Sequence, residues 1–160
     1  MPFVHHVHIR YGECDMQRVV FNAHYLAYCD HAADLWFRSL GASLEAGTWD
    51  VMVKKATITW DGAARVHDDL AIALSVSRWG NTSFDVRFEG TVDDEPVFTA
   101  DLTYVAVVTG STQTVPVPEE FRVAAAAVGA RSSAVVGRGE ATPEDATRTA
   151  TPGDASSSAV

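Results

Sequence analysis

The spacing of apolar positions changes twice along the chain, and each change marks a new type of element. In residues 3–11, Phe, Val, Ile and Tyr recur at odd positions, and this alternation predicts a β-strand. In residues 23–40, apolar side chains instead recur at steps of three and four, which predicts an amphipathic helix. Asn22 stands where an N-cap is favoured, and Gly41 stands where a helix commonly ends.

Alternating patterns return after this helix. They predict strands over residues 51–60, 70–76, 84–89 and 98–106, with turns at 79–82 and 93–95. Because short turns join antiparallel neighbours, these strands form a meander. A short closing helix is predicted over 118–128. One apolar-faced helix and one half-buried sheet of about five strands make an α+β domain, in which the sheet wraps round a long central helix.

Composition limits the domain count and the class of protein. The chain of 160 residues is 47% apolar, which suits a single core, and it has one composition shift, near Gly129. Residues 129–160 are mostly Ala, Ser, Thr, Gly, Pro and Arg without aromatics, so a disordered tail is expected beyond a folded domain at 1–128. The net charge of −9 opposes general nucleic-acid binding.

The expected location follows from two negative observations. No apolar run approaches the roughly 20 residues that span a bilayer, so no membrane partner is expected. The N-terminus lacks the basic and apolar regions of a secretion signal. We therefore expect a cytoplasmic protein whose two cysteines, Cys14 and Cys29, are free thiols. Nothing in the sequence indicates a cofactor.

The connection between the first strand and the long helix carries the candidate chemistry. Asp15 lies a few residues before the helix, whose first backbone N–H groups are unpaired and partly positive. A carboxylate beside preset N–H donors suits the hydrolysis of an activated acyl group, because the donors stabilise the oxyanion. An aspartate before a helix can also be an ordinary loop residue or the partner of a nearby arginine.

Three stretches carry a family resemblance. Residues 15–25 read Asp-Met-Gln-Arg-Val-Val-Phe-Asn-Ala-His-Tyr, residues 64–70 Ala-Arg-Val-His-Asp-Asp-Leu, and residues 77–84 Ser-Arg-Trp-Gly-Asn-Thr-Ser-Phe. In this order they resemble the 4-hydroxybenzoyl-CoA thioesterase family, which includes the Tol–Pal-associated bacterial acyl-CoA thioesterases. That family's signature, Asp-x-x-Gly-x-Val-x-x-x-x-Tyr, is matched by Asp15, Val20 and Tyr25, and Asp30 resembles an acidic residue further along the family's helix. The resemblance implies a hotdog fold.

The same resemblance implies a function and a set of site residues. It implies hydrolysis of an acyl-CoA or acyl-carrier-protein thioester, with Asp15 as nucleophile or general base and the backbone amide of Asn22 as oxyanion donor. Arg18 replaces the family's usual glycine, and Asn22 replaces a histidine of many relatives. A basic cluster for CoA phosphates is missing around residues 80–82. The expected substrate contacts are Arg18, Phe21, His24, Tyr25, Lys54, Lys55, Arg65 and Arg78.

Two other kinds of site are weaker. A metal site is not expected, because His6 and His8 alone share a strand face and His24 and His31 lie two helical turns apart. Glu13 is a weaker second carboxylate. A nucleophilic Cys14 is disfavoured, since the neighbouring carboxylate would raise the pKa of its thiol.

The sequence leaves two rival functions open and predicts a homo-oligomer. A hotdog hydratase or dehydratase would pair its acid with a histidine about five residues on, where this chain has Val20. A non-catalytic acyl-binding protein would share the cavity without turnover. An unpaired strand edge would be covered by pairing across a two-fold axis, so a homodimer or homotetramer is expected.

Overall fold

The computed structural model describes residues 3–41 and 47–129, so the predicted tail lies almost entirely outside the described residues. The chain forms five strands and two α-helices, with a 3₁₀ turn at Tyr11–Glu13. In chain order they are β1 Phe3–His8, α1 Asn22–Ser39, β2 Trp49–Trp60, β3 Asp69–Trp79, β4 Ser83–Val92, β5 Glu95–Val108 and α2 Glu119–Gly129. The predicted elements are all present, and β2 begins two residues earlier than expected.

The strands form one antiparallel sheet in the order β1-β3-β4-β5-β2. Hairpins join β3 to β4 and β4 to β5, while β1 and β2 lie at the two edges of the sheet. Burial alternates cleanly along β4 and β5, as expected for strands with one face on the core. The predicted α+β architecture, with one long helix and a five-stranded sheet, is confirmed.

The core lies between α1 and the inner face of the sheet. The helix buries Tyr25, Cys29, Ala32, Ala33, Trp36 and Phe37, which follow the predicted three- and four-residue steps. Opposite the helix, Gly90 pairs with Phe98, and a Cβ at residue 90 would lie 2.1 Å from the Phe98 ring. Glycine is therefore required there, because the Phe98 ring fills that space and packs 5.1 Å from Tyr25.

Asn22 is not the N-cap of α1, contrary to the sequence-based expectation. Phe21 caps the helix with extended backbone (φ −65, ψ 136) and without a side-chain hydrogen bond, and Asn22 is the first helical residue. The Phe21 N–H donates to the Glu13 carbonyl at 2.9 Å, which fixes the point at which the chain turns into the helix. The first helical N–H groups therefore receive no side-chain cap.

The far end of α1 is closed by α2. Phe121 of α2 packs against the rings of Trp36, Phe37, Trp49, Trp79 and Phe84, at centroid distances of 5.3–6.2 Å. Arg122 holds the β3–β4 turn from the same helix, because its guanidinium donates to the carbonyls of Gly80 and Asn81. The closing helix predicted from the sequence thus anchors both α1 and the sheet.

Candidate active site

Asp15 lies in a tight loop between the 3₁₀ turn and α1. Its N–H donates to the Val19 carbonyl, and its own carbonyl accepts the Arg18 N–H, both at 2.9 Å. One carboxylate oxygen accepts the N–H of Gln17 at 2.7 Å, which is an Asx-turn. The other carboxylate oxygen receives no hydrogen bond from any described residue. The loop therefore orients the carboxylate and leaves one oxygen available.

The two ends of this loop are tied together beside the helix. Cys14 and Val20 form an antiparallel bridge, and the Val20 N–H donates to the Ala64 carbonyl at 2.9 Å. A second bridge joins Val19 to Arg65. These contacts fix the Asp15 loop against the segment at Ala64 and Arg65, immediately before α1 in the chain. The half-buried Cys14 and the buried Cys29 are free thiols, and burial raises the pKa of the Cys29 thiol.

The backbone conformation of Arg18 explains why the family signature has a glycine at this position. Its φ is +63, in the left-handed region that glycine enters without steric cost. A residue with a Cβ loses roughly 1–2 kcal/mol in this conformation. The Arg18 side chain is exposed, so it can reach a ligand at the loop while its backbone remains strained.

The N-terminus of α1 presents unpaired donors next to this loop. The His24 N–H donates to the Phe21 carbonyl at 2.9 Å, whereas the N–H groups of Asn22 and Ala23 have no partner among the described residues. Both residues are exposed. Together with the helix dipole, these two N–H groups make the helix tip a site that favours negative charge.

Glu13 is the buried carboxylate of the region, with a residue exposure of 7%. It accepts the Arg10 N–H at 2.7 Å, and the Arg10 guanidinium at 2.7 and 3.2 Å. These hydrogen bonds hold the pKa of Glu13 below its usual value. Burial, followed by the nearby Glu13 charge, raises the pKa of Tyr28. Glu13 therefore acts as an ionised anchor for the loop, rather than as a proton-sharing second acid.

A groove of about 770 Å³ lies between β1 and the first half of α1, with Glu13 and Tyr28 in its lining. Five of the six histidines of the chain line it: His5, His6, His8, His24 and His31. The rings of His5 and His31 meet edge to face at 5.2 Å, and His24 stacks on Tyr28 at 6.2 Å. Sequence reasoning placed these histidines on separate elements and did not bring them together. Within residues 3–41 and 47–129, no three His, Cys, Asp or Glu side chains are arranged to hold a metal ion.

Phe21, which caps α1, and Tyr25, which lies within it, are both expected substrate contacts but have different surroundings. Phe21 is half exposed and packs edge to face against His24 at 6.3 Å, so its ring is accessible beside the helix tip. Tyr25 is 2% exposed, and its hydroxyl accepts the Ala64 N–H at 3.4 Å. Tyr25 thus joins α1 to the Ala64–Arg65 segment, to which Val19 and Val20 of the Asp15 loop are also bonded. This packing role explains why the signature has a tyrosine at this position.

The expected cationic contacts are spread over the surface. Arg78 forms two hydrogen bonds with Asp85, at 2.6 and 3.0 Å, so a carboxylate already offsets its charge. Lys54 and Lys55 are exposed at an irregularity of edge strand β2. Arg65 is exposed and lies beside the Asp15 loop through its bridge to Val19. Of Lys54, Lys55, Arg65 and Arg78, Arg65 is therefore the one that the fold places next to the Asp15 loop.

An exposed apolar surface lies on the other side of α1. Leu26 of α1 and Val53 of β2 are 40% and 44% exposed. A second cavity of about 350 Å³ is lined by Ala23, Leu26, Ala27, Asp30 and Val53, and so joins the start of α1 to edge strand β2. Ala27 lines both this cavity and the histidine groove. The tip of α1 is therefore flanked by two concave surfaces.

Residues 9–125 match the thioesterase-like superfamily. The chain belongs to the thioesterase-like superfamily. This membership confirms the resemblance noted in the sequence and the expected class of enzyme, a thioesterase, which hydrolyses thioester bonds. No helix among the described residues of this thioesterase is long and apolar enough to cross a membrane.

Individual relatives agree with this family. The 1,4-dihydroxy-2-naphthoyl-CoA hydrolase of Synechococcus elongatus is 26% identical over 119 residues, which are 71% of this chain and 88% of the relative. A 1,4-dihydroxy-2-naphthoyl-CoA thioesterase from Synechocystis superposes with a TM-score of 0.70 at 19% identity, over 79% of this chain and 96% of that one. The 4-hydroxybenzoyl-CoA thioesterase, solved as an aspartate-to-asparagine mutant with 4-hydroxybenzoyl-CoA, gives 0.69 at 16% identity over 76% and 96%. These superpositions confirm the hotdog fold.

Proposed function

We propose that this thioesterase hydrolyses acyl-CoA or acyl-carrier-protein thioesters, with Asp15 as the catalytic carboxylate and the backbone N–H of Asn22 as the oxyanion donor. The supporting observation is the bridged loop of residues 14–20, which leads directly into the tip of α1. Among the described residues, one carboxylate oxygen of Asp15 and the N–H groups of Asn22 and Ala23 have no hydrogen-bond partner. A helix tip of this kind stabilises the negative charge that develops on a thioester carbonyl oxygen.

In the proposed reaction, the thioester carbonyl oxygen lies at the tip of α1. The Asp15 carboxylate either removes a proton from a water molecule that attacks the carbonyl carbon, or attacks that carbon itself to form an anhydride that water then cleaves. In both routes the C–S bond breaks, the thiolate leaves and takes up a proton, and the acyl group departs as a carboxylate. The Asn22 N–H donates to the oxyanion in each case.

Known relatives support a CoA thioester as the substrate. The relatives reported above are named for aryl-CoA thioesters, and one is described with an aspartate replaced by asparagine and its CoA thioester bound. We therefore propose an acyl-CoA as the first substrate class to assay, with the carrier-protein thioester as the second. Of the expected contacts, Arg18 lies within the Asp15 loop, Phe21 and His24 follow it in the chain, and Arg65 is bridged to it through Val19.

We further propose that the working enzyme is a homodimer or a homotetramer. Leu26 of α1 and Val53 of edge strand β2 are exposed, and both line the same cavity. Pairing of β2 with its copy across a two-fold axis would satisfy the strand edge and cover these side chains. A second subunit would then form one wall of the substrate site.

The deciding experiment is thiol release from a panel of acyl-CoAs and matched acyl-pantetheines, with wild type and Asp15→Asn. We expect wild type to release free thiol, and the variant to lose at least about 100-fold in kcat, because the neutral amide neither attacks nor accepts the proton. Asp93→Asn, in the exposed β4–β5 turn, is the matched control and should retain full activity. Near-normal turnover by Asp15→Asn would refute the assignment.

A further inference from the structure

The histidine groove has no role in the proposed hydrolysis beyond its edge at His24. Apart from Tyr28, Val7 and Ala27 are the only apolar residues in its lining, so it is a poor site for an alkyl chain. In a protein with a net charge of −9, however, it gathers five of the six histidines. Imidazoles change charge near neutral pH, and a cluster of them becomes a positive surface as pH falls.

The carboxylates near the groove are mostly occupied. Glu13, at its base, is neutralised by Arg10, and on the rim Asp69 accepts a hydrogen bond from His6 at 2.9 Å. On α1, Asp34 pairs with Arg38, and Asp30 lines the cavity on the other side of the helix. None of His5, His8, His24 and His31 has a carboxylate partner among the described residues; on the β3 side, His8 instead lies 5.9 Å from the ring of His67.

The histidines also repel one another when protonated. Burial, followed by the nearby His31 and His6, lowers the pKa of His5. An anion between the imidazole rings would offset this repulsion and accept hydrogen bonds from protonated rings. Anion binding and proton uptake in the groove must therefore favour each other.

The groove also adjoins the candidate active site. Gly12, Glu13 and His24 line it, and they lie within a few residues of Asp15 and the tip of α1. From His24 to His31 the helix rises by roughly 10 Å at about 1.5 Å per residue. A substrate whose carbonyl sits at the helix tip can thus extend part of its length along the histidines.

We propose that the histidine groove is an anion-binding subsite that takes an acidic group of the thioester substrate. The proposal rests on the proposed hydrolysis for its link to a thioester. Two sources share the required chemistry: a phosphate of the CoA moiety, and a carboxylate on the acyl group. An imidazole becomes positively charged when it is protonated, so the affinity of the groove for an anion is expected to increase as pH falls.

The test measures binding without turnover, so its outcome is independent of whether the enzyme hydrolyses any particular thioester. The full chain is titrated with adenosine 3′,5′-bisphosphate against adenosine, and with benzoate against benzyl alcohol, while the imidazole C–H signals are followed by NMR. For at least one anion we expect Kd to fall about tenfold, or about 1.4 kcal/mol, between about pH 8 and about pH 5.5. The bisphosphate arm identifies phosphate recognition, and the benzoate arm identifies a carboxylate on the acyl group.

The variants assign the effect to the groove. The double variant His5→Gln/His31→Gln should lose part of the pH dependence, because it removes two of the five imidazole rings in the lining and keeps two polar side chains of similar size. The control is His67→Asn, which removes a histidine outside the groove lining at a left-handed backbone position (φ +73) that asparagine tolerates. Its pH dependence should match wild type. If the double variant does not fold, the two single variants should each reduce the pH dependence.

Three results would overturn the proposal. The first is anion affinity that does not change between the two pH values in either arm. The second is an unchanged pH dependence in the double variant, or in both single variants. The third is binding of the anion without competitive inhibition of hydrolysis in an enzyme shown to release thiol, since a subsite of the active site must compete with substrate.

Discussion

The two ends of α1 differ in how completely their side chains are buried. At the C-terminal end, Trp36 and Phe37 are 1% and 3% exposed and are enclosed by rings from the sheet and from Phe121. At the N-terminal end, Phe21 is 51% exposed, and the N–H groups of Asn22 and Ala23 have no partner among the described residues. One end is a packed core and the other is an open site.

This difference shows how one helix can carry both stability and function. Burial of large aromatic side chains contributes most of the packing energy of such a domain. Because the packing energy comes from the C-terminal end of α1, the N-terminal end can retain unpaired N–H donors, the strained backbone of Arg18 and a groove of histidines that repel one another when protonated. Sites that bind or react are expected to deviate from the rules that the core obeys.

The largest expected effect on stability lies at the packed end. Phe121→Ala should lower the free energy of unfolding by about 3–5 kcal/mol, because it leaves a cavity among five aromatic rings. Urea unfolding followed by tryptophan fluorescence measures this loss. Val123→Ala on the same helix is the control, since Val123 is 62% exposed and should change stability by less than about 0.5 kcal/mol. Equal effects of the two variants would contradict the role given to Phe121.

The open end should respond in activity instead. Asn22→Pro removes the proposed oxyanion donor at the first helical position, where proline is favoured, and the extended Phe21 before it is compatible with proline. We expect kcat to fall by about 10²–10³-fold with little change in stability. Asn22→Ala keeps the backbone N–H and should remain active. If proline and alanine give the same kcat, the backbone donor is not at residue 22.

Glu13→Gln should have an intermediate effect. Replacing the buried carboxylate leaves an imperfect partner for Arg10, and we expect a loss of about 1–3 kcal/mol in stability near neutral pH. The folded-state pKa of Glu13 is lowered, so its contribution is present above the usual glutamate value of about 4.3 and is lost as pH falls through the lower folded value. Unfolding curves between about pH 7 and about pH 3 should show this slope in wild type and less of it in the variant. An identical pH dependence of stability in wild type and Glu13→Gln would contradict the anchoring role of Glu13.

The smallest effect is expected at Arg18. Arg18→Gly should raise the free energy of unfolding by up to about 1 kcal/mol, since glycine adopts φ +63 without strain but is more flexible when unfolded. Arg18→Ala, which retains a Cβ, should not gain this stability. A comparison of KM for the three proteins shows whether the exposed guanidinium contacts substrate. Destabilisation by glycine would mean that the arginine side chain stabilises the loop more than its backbone strains it.

Sequence patterns determined the elements, the class of the domain and the enzyme family. The steps of three and four in residues 23–40 and the alternation in the strands follow from helix and strand geometry, which acts locally. The signature from Asp15 to Tyr25 also lies within one short stretch, and local hydrogen bonds build its loop. The patterns therefore predicted the α+β class, and the resemblance of the Asp15–Tyr25 signature to a known family implied the hotdog fold and the thioesterase class before any coordinates.

The remaining features were decided by contacts between separate segments of the chain. The N-cap position depends on the hydrogen bond between the Phe21 N–H and the Glu13 carbonyl, and the ion pairing of Arg78 depends on Asp85 on the neighbouring strand. The histidine groove exists because sheet pairing places β1 beside α1, bringing His5 to His31 across 26 positions of the sequence. No local pattern encodes such a meeting, since only the packed sheet and helix fix which side chains share a surface.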